Sequence, residues 1–253
     1  MKLLGVGWKL LRAVVHAVHG YWTIKTLFPR LEQVEQEGRV QVWAREMLHI
    51  VGIELEVKGS TPVRGPVLLV ANHISWLDIL VMHASRHCRF VSKSDVKGWP
   101  FVSTLAHGAG TLYIERESRR DAHRVVVQMA ERLRAGDILA VFPEGTTGDG
   151  ITLLPFHANL IQSAIEASVP VQPVALKFID AASGALSFAP SYVGDETLIG
   201  SIWRTLTATG LKAVVTFGEA QAPQGQTRRL WAQTLREDIE RLRQSRQVNN
   251  AEE

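Results

Sequence analysis

The sequence predicts an α/β fold, a mixed sheet flanked by helices and preceded by an N-terminal amphipathic two-helix segment. Three observations predict it. Short runs rich in β-branched residues alternate with helical stretches from Ile53 onward. Several of those runs, Val67 to Ala71 above all, are apolar without interruption, as strands covered on both faces are. Residues 1 to 30 instead place their polar side chains at helical spacing.

Taken in order, Lys9, Arg12, His16, His19, Thr23, Thr26 and Arg30 recur three or four apart, which draws one narrow polar stripe along a helix. The remaining face, with Leu3, Leu10, Leu11, Val14, Val15, Val18, Trp22 and Leu27, is broad and apolar. Trp8, Tyr21 and Trp22 are placed like interfacial anchors. The charges break every apolar run before the ~20 residues a membrane span needs, and no small-residue cleavage site follows. A helix lying in one leaflet fits this pattern; packing on the protein's own core or on a second copy is the competing reading. Leu31 to Ile50, with Trp43, Met47 and Ile50 on one side and Gly52 after it, completes a hairpin. Residues 1–50 are therefore expected to form an interfacial hairpin and 51–253 one α/β domain.

Strands are expected at Ile53–Val57, Val67–Ala71, Arg89–Ser92, Thr111–Ile114, Ile138–Phe142, Val171–Phe178 and Val214–Phe217. Helices are expected at Ile74–Ala84, Asp121–Ala135, Phe156–Ala167 and Arg228–Arg246. Ala181 to Leu211 shows no usable period. A hydrophobic fraction of 46% supports a buried core, and a net charge of +3 suits an anionic surface or phosphorylated ligand but not nucleic acid. The lone Cys88 allows no intrachain disulfide.

Asn72-His73-Ile74-Ser75-Trp76-Leu77-Asp78 follows the most apolar strand. With His73 in the turn and Asp78 in the first turn of a helix, the imidazole can fold back onto the carboxylate; residues five apart inside one helix diverge by about 140°. The same residues read equally as a capping box, Ser75-x-x-Asp78, in which Asp78 bonds backbone N–H groups. Phe142-Pro143-Glu144-Gly145-Thr146-Thr147 leaves a second apolar strand, where Gly145 would let backbone approach a ligand and the threonine hydroxyls could hold an anion or a polarised carbonyl; a plain turn explains Pro and Gly as well. Gly110 to Arg116 sets a cation at a strand end. His83, His87 and Cys88 lack the carboxylate of a zinc motif, so no metal is expected, and no serine elbow or phosphate-binding glycine loop is present.

These blocks, in this order, resemble the glycerolipid acyltransferase family that includes 1-acylglycerol-3-phosphate acyltransferases. The match runs from about Ile53 to Phe178 through N-H-x-S-x-x-D at Asn72–Asp78, Gly110–Arg116, F-P-E-G-T at Phe142–Thr146 and Val169–Val174. The resemblance favours His73 as general base with Asp78 as its partner. It implies transfer of a fatty acyl group from acyl-CoA or acyl-carrier protein, as co-substrate and with no cofactor, to the hydroxyl of a lysophospholipid, most often 1-acylglycerol-3-phosphate. By the same resemblance Arg116, Glu144 and Gly145 belong to acceptor binding, with Lys93, Thr146 and Thr147 beside them, and the protein sits on the cytoplasmic face of the inner membrane. One position departs: the third block often continues with arginine, and Thr147 stands there instead. A hydroxyl in place of a bidentate cation points also to a less anionic acceptor, such as a zwitterionic lysophospholipid or lyso-ornithine lipid. A non-catalytic lipid-binding protein, or a hydrolase, are the alternatives of other kinds.

Overall fold

The computed structural model describes residues 2–93, 100–114 and 119–244. Helix α1 (Lys2–Thr26) leads through a 3-10 turn (Phe28–Arg30) to α2 (Gln33–Val51). Among the described residues seven strands follow, β1 (Glu54–Lys58), β2 (Val67–Ala71), β3 (Arg89–Lys93), β4 (Leu112–Ile114), β5 (Ile138–Val141), β6 (Val171–Asp180) and β7 (Leu211–Phe217). Between and after them lie α3 (Leu77–Ser85), α4 (Pro100–Gly108), α5 (Arg119–Arg134), α6 (Gln162–Ala167), α7 (Leu198–Thr207) and α8 (Arg228–Gln244).

The strands form one mixed sheet in the order β1-β7-β6-β2-β5-β3-β4, parallel throughout except where β6 meets β7. Central β2 is fully buried because both faces are covered. Leu69 and Ala71 join the core beneath α2 and α3, while Leu68 and Val70 join that of α5, α6 and α8. Helix α5 supplies Val125, Met129 and Leu133, and α8 supplies Trp231, Leu235 and Ile239, each set at four-residue spacing.

The expected division at residue 50 takes another form. Val40, Ala44, Leu48 and Val51 of α2 are buried, and α2 packs on α3, so α2 is a layer of the α/β body. A Glu32/Glu35 capping box opens it and Gly52, in the left-handed region at φ 80°, closes it. Helix α1 lies against this body through Val6, Ala13, His16 and Ile24, and turns its broader apolar side away from it. His16, from the polar stripe, stacks on Trp43 of α2 with ring centroids 5.2 Å apart. The His16 ring bonds the Trp43 carbonyl, and the Trp43 indole donates to the His16 carbonyl. The apolar face points outward, with Leu4 81% and Trp8 61% exposed and Leu11, Val14, Val15 and Trp22 likewise uncovered. Among the described residues no helix is long and apolar enough to cross a membrane.

Helices α4 and α7 are not expected from sequence, and α6 begins at Gln162 rather than Phe156. The segment before α6 is held open instead: the Arg236 guanidinium of α8 donates to the carbonyls of Leu153 and Leu154, and that of Arg243 to Gly150 and Ile151.

Candidate functional site

Because β2, β5, β3 and β4 lie side by side and parallel, their carboxyl ends share one edge of the sheet. His73 follows β2 and Glu144 follows β5 on that edge, while Lys93 ends β3 there. Arg116, beyond β4, lies outside the described residues. Topology thus gathers blocks far apart in sequence, as ligand sites in open α/β sheets are gathered.

The imidazole Nδ1 of His73 lies 2.8 Å from Asp78 Oδ2. The same oxygen accepts the N–H of Ile74 at 2.6 Å and of Ser75 at 2.9 Å. The base pair and the helix start, alternatives on spacing alone, therefore converge on one carboxylate oxygen. Asp78 is wholly buried, its Oδ1 has no hydrogen-bond partner among the described residues, and the His73 side chain keeps 18% of its surface open. With Nδ1–H donated to the carboxylate, Nε2 is left with a lone pair. Phe142 stacks on the imidazole, centroids 4.0 Å apart and planes 5° from parallel, and Phe90 stacks behind Phe142 at 5.3 Å.

Glu144 is buried, and both of its oxygens are committed to backbone: Oε1 accepts from His73 N at 2.7 Å and Oε2 from Leu154 N at 2.8 Å. Burial pushes its carboxyl above the ordinary range, opposed by those two hydrogen bonds. Gly148 N donates to the His73 carbonyl at 2.8 Å, so both backbone groups of His73 are tied to the loop after β5.

Gly145 takes φ 75°, where side chains are disfavoured, and a Cβ there would stand 3.1 Å from the His157 ring. Its N–H goes to the Phe142 carbonyl, which removes it, with Gly148, from the donors open to a ligand. Gly145 and Thr146 are exposed beside the base, whereas the Thr147 hydroxyl donates to the Tyr192 carbonyl. Sequence reasoning misses His157 and the Phe142 ring as parts of the site. The Phe-Pro and Pro-Phe-His stretches that carry them are the available signals.

The remaining histidine pair is core. Burial pushes His83 down to about 3, and His87 is lowered too, so neither carries charge near neutrality. Cys88 is buried and its thiol is raised.

Comparison with known proteins places the chain among its relatives. The acyltransferase family model matches residues 53–177. The lyso-ornithine lipid O-acyltransferase of Pseudomonas aeruginosa is 40% identical over 164 residues, covering 65% of this chain and 62% of that relative's length. The 1-acyl-sn-glycerol-3-phosphate acyltransferase of Neisseria meningitidis is 39% identical over 174 residues, covering 68% of each. The crystal structure of the 1-acyl-sn-glycerophosphate acyltransferase PlsC from Thermotoga maritima superposes with a TM-score of 0.70 at 19% identity, over 95% of this chain and 94% of that one, and so shares the fold. On the strength of a relative 39% identical over two thirds of both chains, and of a family model matched over residues 53–177, the chain belongs to the acyltransferase family.

Proposed function

We propose that this acyltransferase moves a fatty acyl group from an acyl thioester to the free hydroxyl of a lysolipid, with His73 as general base. The observation that carries the reading is the His73 Nδ1 to Asp78 Oδ2 bond, which orients Nε2 at the open side of a buried pair. Nε2 takes the proton of the acceptor hydroxyl as that oxygen attacks the thioester carbonyl. The buried carboxylate stabilises the imidazolium that forms. The tetrahedral intermediate expels the thiolate, and the proton on His73 passes to it or is released to solvent, which restores the base. No acyl-enzyme and no cofactor are needed; acyl-CoA or acyl-carrier protein enters as co-substrate.

Glu144 acts in this scheme by holding the catalytic turn, since both its oxygens face backbone N–H groups. Lys93, the last residue of β3, and Arg116, two residues past the end of β4, are the proposed cations for an acceptor phosphate, beside Gly145 and Thr146. The acceptor placed first is 1-acylglycerol-3-phosphate, giving phosphatidic acid. One observation favours a second, a lyso-aminolipid such as lyso-ornithine lipid: the Thr147 hydroxyl proton points to Tyr192, so this position offers a phosphate no donor.

The outward apolar face of α1 supports a seat in one leaflet, which we assign to the cytoplasmic face of the inner membrane. The deciding experiment incubates purified protein with one radiolabelled acyl thioester and a panel of lysolipids and identifies the product. His73→Ala should lower transfer by roughly 10²–10⁴-fold. Unchanged turnover in that variant overturns the reading, and thioester loss without acceptor would make the protein a hydrolase.

A further inference from the structure

Helix α7 carries an apolar face that the core does not use. Ser201, Thr205 and Leu206 are buried, whereas Ile199, 80% exposed, and Trp203, 48% exposed, stand four residues apart on the outside. The only charged side chain of α7 is Arg204. It is folded back onto Glu196 and donates to the carbonyls of Ala189 and Ser191, so it lends the outer face no free charge. Val193, just before the helix, is also exposed.

The position of this face gives it meaning. Helix α7 packs against α1, the helix whose apolar side is turned outward. It is also tied to the residues that follow His73. The Trp76 indole donates to Ser201 Oγ at 3.2 Å, Ser75 Oγ donates to the Pro190 carbonyl, and Tyr192 N donates to the Ile74 carbonyl at 3.2 Å. Only the Trp76 bond reaches α7 itself, but Ser201 and Arg204 of α7 donate to the carbonyls of Ser191 and Ala189, so a surface that meets Ile199 and Trp203 is coupled to the turn that carries the base directly and through this preceding segment.

We infer that α7 is a second membrane-contact element, its occupant the headgroup and upper-acyl region of a lipid leaflet. The inference rests on the reading of α1 as a leaflet-seated helix. An uncharged helix face with a tryptophan beside a β-branched apolar residue is the composition that settles at that boundary. Continuity with α1 selects lipid over a protein partner. One helix leaves the body free to roll about its axis; two helices with the catalytic turn bonded to the second fix the opening of His73 toward the leaflet, where an insoluble acceptor must arrive.

The test uses the full chain carrying single nitroxide labels on introduced cysteines, since the native Cys88 is buried. The positions are Val15→Cys on α1, Ile199→Cys and Trp203→Cys on α7, and Gln233→Cys on the exposed side of α8. Collision rates with oxygen and with a water-soluble nickel chelate are measured with and without vesicles of phosphatidylethanolamine and phosphatidylglycerol. The expected result is a severalfold rise in the oxygen-to-nickel ratio at 15, 199 and 203 on vesicles, with 233 unchanged. Insertion at 15 with 199 and 203 still open to nickel overturns the role of α7 and leaves that of α1 intact. No insertion at 15 overturns the α1 reading and this inference with it. Protection at 199 and 203 that tracks protein concentration without lipid overturns the lipid occupant in favour of a second copy.

Discussion

Replacing Asp78 by asparagine separates the charge of that residue from its geometry. Three donors converge on Oδ2, two of them the fixed backbone N–H groups of Ile74 and Ser75. An amide nitrogen cannot sit against two N–H donors, so the carbonyl oxygen of the introduced amide must occupy that position and still accept from His73 Nδ1. The tautomer survives; only the negative charge is lost. With charge centres about 4 Å apart and an effective dielectric near 20, carboxylate and full imidazolium attract by about 4 kcal/mol. If between half and all of the imidazolium charge has developed in the transition state, kcat falls by roughly 30- to 1,000-fold. KM for the acceptor should stay within a factor of about three, because the charge acts on the transition state rather than on ground-state binding. The amide nitrogen takes the place of Oδ1, which has no hydrogen-bond partner among the described residues. That leaves a buried unpaired donor costing about 1–3 kcal/mol, read as a lower Tm. Turnover is followed by thiol release at saturating donor and confirmed by product mass. A folded Asp78→Asn variant with turnover within about threefold of the parent would refute the argument that the carboxylate stabilises the imidazolium.

Further outcomes follow from the same geometry. Glu144→Gln sets an amide N–H₂ against either the His73 or the Leu154 N–H; kcat should fall about tenfold or more with little change in acceptor KM, whereas an acceptor-gripping carboxylate would raise KM. The Glu144 carboxyl is raised by burial, so the unfolded chain loses that proton first. Its contribution is most favourable below the unfolded pKa and weakens as pH rises toward the folded one; urea titrations of parent and Glu144→Gln should show that slope only in the parent. Phe142→Leu removes the ring stacked on the imidazole, a contact worth about 0.5–1.5 kcal/mol in holding its plane, and should lower kcat by about three- to tenfold with acceptor KM little changed; an unchanged kcat would make the stack mere packing. Deleting residues 1–30 should shift the protein from the membrane fraction to the supernatant on ultracentrifugation; retention in the pellet would point to another surface.

Much of this was legible because the strands near the site are apolar on both faces and short. Val67–Ala71 is bounded as predicted, and a strand ending there forces His73 into a turn and Asp78 into the first turn of a helix. The sharing of one oxygen was not legible, since it depends on where two backbone N–H groups point. The partner of Thr147 was hidden for a related reason: Tyr192 lies 45 residues on, in a stretch without period. Gly200, Ser201 and Thr205 break the apolar rhythm of α7, and Ser201 and Thr205 do so because they bond carbonyls and an indole inside the fold. The late start of α6 goes with long-range bonds that its own stretch does not announce: the His157 N–H is taken by the Pro143 carbonyl, and arginines of α8, about 80 residues downstream, grip the carbonyls of Leu153 and Leu154 just ahead.

On the proposed seating of α1 in a leaflet, its outward-turned apolar side changes what substrate concentration means for this protein. Once the helix is embedded, acceptor reaches His73 by lateral diffusion, and bulk molarity no longer sets the rate. Velocity then follows the mole fraction of lysolipid in the sheet, so inert phospholipid added at fixed acceptor slows the reaction by two-dimensional dilution although nothing has bound the enzyme.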